Sequence, residues 1–165
     1  MVNLDGKLSV VMPAYNEEKL IYSSIKTTIS VISGFVKDFE IVAVNDGSTD
    51  ATKEEIKRAM KEDGRVRMVS SDKNRGKGTA IISGVTESEG KYIAFLDSDD
   101  LWMSDKLEKQ IAFMERTGAK FSATGYQWMD ENGNDLHTVL IPPKKTDYKK
   151  MIRLSNPIGN LSVMY

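Results

Sequence analysis

An acidic cluster, Asp97-Ser98-Asp99-Asp100, directly follows the apolar segment Tyr92-Ile93-Ala94-Phe95-Leu96. Neighbouring carboxylates repel one another, so the cluster makes physical sense if a cation or a set of hydrogen-bond donors neutralises it. Oxygen ligands favour Mg²⁺ or Mn²⁺ over zinc. If strand geometry continues through Ser98, Asp97 and Asp99 point to the same side with their backbones about 6.5–7 Å apart. The alternative is that one aspartate caps the next helix and the others are solvated.

Two other polar segments have the residue types of a nucleotide-base pocket. They are Pro13-Ala14-Tyr15-Asn16-Glu17-Glu18 and Asn45-Asp46-Gly47-Ser48-Thr49-Asp50, and each follows an apolar run. Tyr15 offers an aromatic face on which a base can stack, while Glu17 and Asp46 offer acceptors for the ring N–H groups of uracil or guanine. Taken alone, Asp46-Gly47-Ser48 is an ordinary turn with a helix start, and Tyr15 could simply pack.

A basic, glycine-containing segment, Asp72-Lys73-Asn74-Arg75-Gly76-Lys77-Gly78, has the properties of a phosphate-binding loop. Gly76 and Gly78 allow a ligand to approach the backbone at a helix start, and Lys73, Arg75 and Lys77 add positive charge. On its own this loop is more often a solvated turn. It also does not match the phosphate-loop pattern of nucleoside-triphosphate hydrolases.

Composition excludes several functional classes. The chain has 165 residues, 23 basic and 24 acidic residues, a net charge of −1 and no cysteine. Mixed charge argues against a nucleic-acid partner, and the lack of cysteine excludes disulfides and thiolate metal sites. No run approaches the roughly 18 apolar residues of a membrane span, and Met1–Asp5 does not resemble a secretory signal. We therefore expect a soluble, cytoplasmic chain, with a peripheral position at the inner face of the cell membrane left open.

The elements that must position these segments alternate along the first two-thirds of the chain. Short apolar runs rich in β-branched and aromatic residues alternate with helical periodicity, which predicts a mostly parallel, Rossmann-like α/β sheet with helices on both faces. The strand ends, and hence the four polar segments, then meet at one edge of the sheet. The predicted strands are Leu8–Met12, Phe39–Val44, Val66–Val69 and Tyr92–Leu96; the predicted helices are Lys19–Ser33, Asp50–Glu62, Lys77–Glu87 and Ser104–Arg116.

After residue 116 the pattern changes to a β-hairpin. Phe121–Met129 and Leu136–Ile141 have strand character, and the Asn132-Gly133 pair between them is a strong turn signal. A short helix at Tyr148–Leu154 and a strand at Leu161–Tyr165 complete the prediction. The whole chain, 1–165, is expected to be one domain, with an alternating β/α portion at 1–116 and the hairpin with the start of an acceptor-binding half at 117–165.

Together the four segments resemble the nucleotide-sugar-binding half of a family-2 glycosyltransferase of the GT-A fold. The resemblance implies a sugar transfer, inverting and metal-dependent, from a nucleoside diphosphate of uridine or guanosine type to an acceptor hydroxyl, on a carbohydrate for example, or to a polyprenyl phosphate. It implies that Asp97 contacts ribose or the ion and that Asp99 holds Mg²⁺ or Mn²⁺. The substrate-binding residues expected on this basis are Pro13, Ala14, Tyr15, Glu17, Asp46, Lys73, Gly76, Lys77, Asp97 and Ser98.

In similar enzymes the general base, an Asp often preceded by Glu, follows a segment like Asn156-Pro157-Ile158-Gly159, and no residue here after the hairpin is a good candidate. The resemblance therefore predicts a truncated or chimeric chain that binds donor and transfers sugar poorly. A non-catalytic nucleotide-sugar-binding module is the alternative. His137 is expected to be an exposed strand residue without a chemical role, Trp102 and Trp128 to pack, and the Met and aromatic residues near the carboxyl terminus to support self-association.

Overall fold

Eight strands and four helices make up the computed structural model, which describes residues 6–130, 133–142 and 158–165. A 3-10 turn at Asn160–Ser162 precedes the last strand. In chain order the elements are β1 (Leu8–Ala14), α1 (Ile21–Ser33), β2 (Phe39–Asp46), α2 (Thr52–Glu62), β3 (Val66–Ser71), α3 (Lys77–Thr86), β4 (Tyr92–Phe95), α4 (Lys106–Thr117), β5 (Ser122–Ala123), β6 (Tyr126–Met129), β7 (Asp135–Leu140) and β8 (Val163–Met164).

The main sheet has the order β3-β2-β1-β4-β8-β5, and its first four strands are parallel. Alternate residues of β1 face opposite sides: Val10 packs with α1, α2 and α4, whereas Val11 packs with α3. Every residue of β1 and β2 is buried, as expected for strands covered on both faces. The predicted α/β sheet with helices on both faces is confirmed.

The sheet changes its direction of growth between β1 and β4. The chain places β2 and β3 on one side of β1 and then returns to place β4 on the other side. In open parallel sheets, such a reversal leaves a crevice at the carboxyl ends of the two strands, because the loops that follow them turn to opposite faces. The segment after Ala14 and the segment after Phe95 border this crevice.

Several boundaries differ from the sequence prediction. β1 and β2 run two residues further than predicted because their parallel register extends to Ala14 opposite Asn45. Helix α2 begins at Thr52 rather than Asp50, since the Asp50 carboxylate accepts the Thr52 N–H at 3.0 Å from outside the helix. Polar residues ahead of these helices thus form the turns that lead into them.

The predicted first strand of the hairpin, Phe121–Met129, is wrong as one element, because it is divided between two sheets. β5 pairs antiparallel with β8 in the main sheet, whereas β6 pairs with β7 in a separate two-stranded sheet. The buried Gln110 amide holds β5 in the core by donating to the Ser122 carbonyl at 3.2 Å, the Ser122 hydroxyl at 2.9 Å and the Ser162 carbonyl at 3.0 Å. The β6–β7 pair confirms the predicted hairpin itself.

The end of the chain contains less strand than predicted. Of the predicted strand Leu161–Tyr165, Val163 and Met164 are extended, and the residues before them form the 3-10 turn. The predicted helix at Tyr148–Leu154 lies outside the described residues. Among the helices that the structure describes, none is long and apolar enough to cross a membrane.

Candidate functional site

The four polar segments meet in a cleft of about 310 Å³ at the carboxyl edge of the sheet. The cleft is bordered by the loops after β1, β2, β3 and β4, and by the first turn of α3. Ten of the predicted site residues line it: Pro13, Ala14, Tyr15, Glu17, Asp46, Gly76, Lys77, Asp97, Ser98 and Asp99. The structure thus brings these residues together, while their individual roles stay predictions.

The loop after β1 is fixed by hydrogen bonds to the loop after β2. Asn16 has a φ of 57°, and its side-chain oxygen accepts the Thr49 N–H at 2.9 Å. The Glu17 N–H donates to the Thr52 hydroxyl at 2.7 Å. These bonds leave the Tyr15 ring, which is 44% exposed, at the mouth of the cleft. An exposed ring on a fixed loop can stack against a planar ligand at little conformational cost.

Asp46 and Gly47 hold the loop after β3 in place. The buried Asp46 carboxylate accepts the backbone N–H of Arg75 at 3.0 Å through one of its two oxygens. Gly47 has a φ of +70°, and a Cβ at this position would lie 2.2 Å from the Lys73 carbonyl carbon. The backbone of Lys73 therefore packs against Gly47, and the residue is not among those that line the cleft. Its predicted contact with the substrate stays a prediction.

Helix α3 points its amino terminus at the cleft. Gly76 precedes the helix with a φ of +88°, and its carbonyl accepts the N–H of Ala80 at 3.1 Å. Backbone N–H groups of a first helical turn lack intrahelical partners and attract anions. The ammonium of Lys77, the first helical residue, forms an ion pair with the Asp97 carboxylate across the cleft. The first turn of α3 thus combines N–H donors with a charged side chain.

The acidic cluster forms a turn and does not extend β4. The strand ends at Phe95, and the Asp100 N–H donates to the Asp97 carbonyl at 3.1 Å. Strand geometry, which would have pointed Asp97 and Asp99 to the same side, therefore does not continue through Ser98. Both Asp97 and Asp99 still line the cleft, with Ser98 buried between them.

Burial and, after it, neighbouring carboxylates shift two pKa values near the turn. Burial is the largest cause that raises the pKa of Glu17, and the charge of Asp99 raises it further. Burial, followed by the charges of Asp97 and Asp99, raises the pKa of Asp100 to about 6. A nearby cation would oppose the part of each shift that comes from the neighbouring carboxylates.

The charges that line the cleft are four carboxylates and one ammonium, from Glu17, Asp46, Asp97, Asp99 and Lys77. In the described part of the chain, no group of three or more acidic or histidine side chains is arranged to hold a metal ion. Mg²⁺ and similar ions, however, often take one or two protein carboxylates and complete their shell with phosphate oxygens and water. Asp97 and Asp99 on one turn fit an ion that binds together with a phosphate.

Two lining residues were absent from the predicted site, Asn74 and Ala80. The Asn74 side-chain oxygen accepts the Gly76 N–H at 2.8 Å and so shapes the turn before α3. The sequence could have indicated Asn74 as a site residue, because it lies in the same segment as Gly76. Ala80 lies one turn into α3, where a small side chain leaves room beside the helix terminus. The four-residue spacing from Gly76 could have indicated it.

The aromatic residues and the histidine outside the cleft have varied environments. Trp102 packs against the core and donates its indole N–H to the Leu161 carbonyl at 2.9 Å, as predicted for a packing residue. The prediction for Trp128 is wrong, because this residue is 56% exposed and belongs to neither core cluster of the described residues. His137 is exposed on β7, as predicted.

A larger groove, of about 900 Å³, lies next to the cleft between α1 and the β6–β7 hairpin. Hydroxyl side chains of α1, such as Ser23 and Thr27, form one wall, and Tyr126 and Trp128 belong to the other. Ser98 and Asp99 line both cavities. The acidic turn is therefore the boundary between them.

Comparison with known proteins identifies the family. A family model described as Glycosyl transferase family 2 matches residues 9–163, which includes all four loops of the cleft. The chain belongs to glycosyltransferase family 2. Its mostly parallel sheet with flanking helices is that of GT-A glycosyltransferases.

Curated relatives of this family-2 chain are longer than the chain. TuaG of Bacillus subtilis (strain 168), whose name assigns it provisionally to teichuronic acid biosynthesis, is 35% identical over 164 residues. These residues are 99% of this chain and 64% of TuaG. The Escherichia coli protein WfgD is 31% identical over 97% of this chain and 60% of its own length. WfgD is named UDP-Glc:alpha-D-GlcNAc-diphosphoundecaprenol beta-1,3-glucosyltransferase. The chain thus spans about three-fifths of each.

A solved glycosyltransferase structure has a similar fold. Glucosyl-3-phosphoglycerate synthase from Mycobacterium tuberculosis is 25% identical with a TM-score of 0.57, and the match covers 73% of this chain and 44% of that one. That crystal contains Mn²⁺, uridine diphosphate and glucosyl-3-phosphoglycerate.

Proposed function

We propose that this chain binds a nucleoside diphosphate sugar in the strand-end cleft, with uracil or guanine as the base, and supplies the donor site for an inverting, metal-dependent glycosyl transfer. The observation that carries the proposal is that loops from four strands form one cleft, with an exposed aromatic ring at one part and a helix amino terminus beside an acidic turn at another. In this arrangement the aromatic ring could contact a base, the helix amino terminus a diphosphate and the acidic turn a cation.

The base would stack on Tyr15, with Pro13 and Ala14 forming the floor of the pocket. Glu17 and the second oxygen of Asp46 would accept the ring N–H groups, because the first Asp46 oxygen already holds the Arg75 N–H. Uracil and guanine both present such N–H donors. A base that presents only acceptors at this edge would leave the carboxylates unpaired, which disfavours its binding.

The diphosphate would lie against Gly76 and Lys77 at the amino terminus of α3. Asp97 and Asp99 would hold Mg²⁺ or Mn²⁺, with Ser98 next to the ribose or the ion. The bound ion would stabilise the negative charge that develops on the diphosphate as the bond to the sugar breaks. Four carboxylates against one ammonium also mean that a diphosphate entering alone would be repelled, which supports binding with a divalent cation.

The acceptor would be either a hydroxyl group of a carbohydrate or the phosphate group of a polyprenyl phosphate. The name of the relative WfgD, which refers to a diphosphoundecaprenol-linked sugar, supports a lipid-linked acceptor. Such an acceptor would place the protein at the inner face of the cell membrane. An inverting transfer also needs a base within hydrogen-bond reach of the acceptor hydroxyl, and we assign no residue to that role.

Calorimetric titration of the chain with UDP and GDP, with and without Mn²⁺, tests this function. We expect one of the two nucleotides to bind in the presence of Mn²⁺ and to bind at least about tenfold more weakly without it. Asp99→Ala should weaken the Mn²⁺-dependent binding by a similar factor, since it removes one of two carboxylate ligands. Asp105→Ala is the matched control, because Asp105 follows the same turn, is exposed and does not line the cleft.

Two outcomes would contradict the proposal: absence of binding by both nucleotides in the intact chain, or equal effects of the two Asp variants. A transfer assay with the bound nucleotide's sugar, run in parallel with a polyprenyl phosphate and with a diphosphoundecaprenol-linked sugar as acceptor, then separates an enzyme from a non-catalytic binding module. Binding without transfer to either acceptor would favour the module.

A further inference from the structure

The single ammonium that lines the cleft, that of Lys77, is paired with one of the carboxylates expected to hold the ion. Lys77 lies at the start of α3, and its side chain is 57% exposed. The Asp97 side chain is 13% exposed, and its carbonyl accepts the Asp100 N–H in the turn that follows β4, so it has less freedom to move. Of the two partners, the lysine is therefore the one that can move.

A divalent cation and the Lys77 ammonium cannot share the same carboxylate oxygen. Both are positive, and their repulsion at such short range is stronger in a partly buried cleft than in water. An ion that binds the paired oxygen of Asp97 must therefore displace the ammonium, and an ion that binds the other oxygen is repelled by it. Among the described residues, no other cation lines the cleft. The displaced ammonium gains a diphosphate as its new partner when a nucleotide binds.

We propose that Lys77 is an internal counter-ion of Asp97 that moves to the diphosphate when metal and nucleotide bind, and so couples the two binding events. This inference rests on the proposed function, because it assigns regulation to the same site. In the free chain Lys77 neutralises Asp97 and weakens metal binding. With both ligands present, it contributes to holding the diphosphate.

The geometry of α3 supports the second position of Lys77. Gly76 and Ala80 line the same wall of the cleft, so a diphosphate at the helix terminus lies beside the Lys77 backbone. A lysine side chain is long and flexible enough to exchange one nearby anion for another without movement of the helix. Neither Lys73 nor Arg75 lines the cleft, so Lys77 is the cation available to do so among the described residues.

Because of this coupling, one substitution should change the affinity for Mn²⁺ and the affinity for the nucleotide in opposite directions. Lys77→Met removes the competitor at Asp97 and should strengthen binding of Mn²⁺ alone by roughly threefold to tenfold. The same substitution removes a charge-assisted contact and should weaken binding of UDP or GDP at saturating Mn²⁺ by roughly tenfold. A residue that merely supports the fold would change both affinities in the same direction.

The matched control is Lys109→Met. It removes one positive charge from an exposed side chain that is also paired with an aspartate but lies outside the cleft. It should change both affinities by less than about twofold, because exposed charges are screened by salt. Lys77→Arg should stay close to the parent chain in Mn²⁺ affinity, since it keeps a cation at Asp97.

Binding of Mn²⁺ without nucleotide can be followed by electron paramagnetic resonance of the free ion, which does not depend on transfer activity. A Mn²⁺ affinity that is unchanged, weaker or undetectable in Lys77→Met, or an equal gain in Lys109→Met, would overturn the proposal. Failure of the nucleotide to bind the parent chain would instead count against the proposed function. The metal measurement would still decide the role of Lys77.

Discussion

The α/β region, residues 6–117, and the C-terminal region, the described residues from 118 onward, use their apolar side chains differently. Every residue of β1 and β2 is buried, whereas all but the last residue of β7 are exposed. The α/β region packs apolar side chains on both faces of its sheet. The lining of the cleft comes from the α/β region, and the described residues of the hairpin contribute nothing to it.

The largest effect is expected where the α/β region fixes the cleft, in the variant Gly47→Ala. The new Cβ would lie 2.2 Å from the Lys73 carbonyl carbon and 2.5 Å from the Asn74 nitrogen, at a φ of +70°. The loop after β3 would have to move, so we expect a loss of about 2 kcal/mol or more in the free energy of unfolding. Nucleotide binding should weaken as well, because the same loop positions α3.

Urea denaturation followed by circular dichroism measures this loss. The matched control is Gly64→Ala, because a Cβ there meets nothing within 4 Å and its φ is not in the left-handed region. Equal midpoints for the two variants would show that the close approach of Gly47 to Lys73 does not stabilise the fold.

The next effect concerns Lys106 of α4, at the border of the two regions. Its ammonium is buried over the Trp102 ring at 4.5 Å and has no hydrogen-bond partner among the residues that the structure describes. Burial lowers its pKa to about 7. The unfolded chain keeps that proton up to about pH 10.4. Between these values the unfolded state binds more protons than the folded state, so stability should rise as the pH is raised.

Lys106→Met should remove this rise and increase the free energy of unfolding at pH 7 by about 1 kcal/mol, since the lost desolvation penalty exceeds the lost ring contact. Lys109→Met is the control on the same helix, because Lys109 is exposed and paired with Asp105. Denaturation at pH 7 and pH 9.5 measures both. Parallel pH dependences for the parent chain and Lys106→Met would contradict the account.

The smallest effect is expected in the hairpin, where Val139 is 60% exposed. Val139→Thr should change the free energy of unfolding by less than about 0.5 kcal/mol. The same substitution at the fully buried Val42 should cost roughly 1–3 kcal/mol, because it buries a hydroxyl. A comparable loss at both positions would remove the distinction between the regions.

Self-association of the chain stays a prediction. The exposed apolar side chains of this hairpin offer a way to test it. Leu136, Val139 and Ile141 are all more than half exposed. Light scattering at high concentration should detect association of the parent chain and less of it in Val139→Thr. A strictly monomeric parent chain would exclude association through this surface under those conditions.

Sequence reasoning located most of the α/β region because its signals are local. Apolar runs such as Tyr92–Leu96 and the polar residues after them fix both the strand and the end of the strand. The parallel arrangement then brings those ends to one edge. Tyr15, Asp46 and Asp99 could therefore be placed near one another without coordinates, although they are far apart in the chain.

Other features depend on contacts that no local pattern encodes. The division of Phe121–Met129 follows from three hydrogen bonds of the Gln110 amide, a residue on a different element. The close packing of the Lys73 backbone on Gly47 joins two loops that are far apart in the chain. The Lys77–Asp97 pair likewise joins residues from two loops. Sequence showed that each loop was polar, but not which charges would meet.

The central claim is that the strand-end cleft holds a nucleoside diphosphate. A crystal structure of the chain with Mn²⁺ and whichever of UDP or GDP binds tests it most directly. The account predicts the base on Tyr15, the diphosphate at the amino terminus of α3, and the ion between the diphosphate and the Asp97–Asp99 turn. A nucleotide bound in the neighbouring groove between α1 and the hairpin, with the cleft still closed by the Lys77–Asp97 pair, would contradict it.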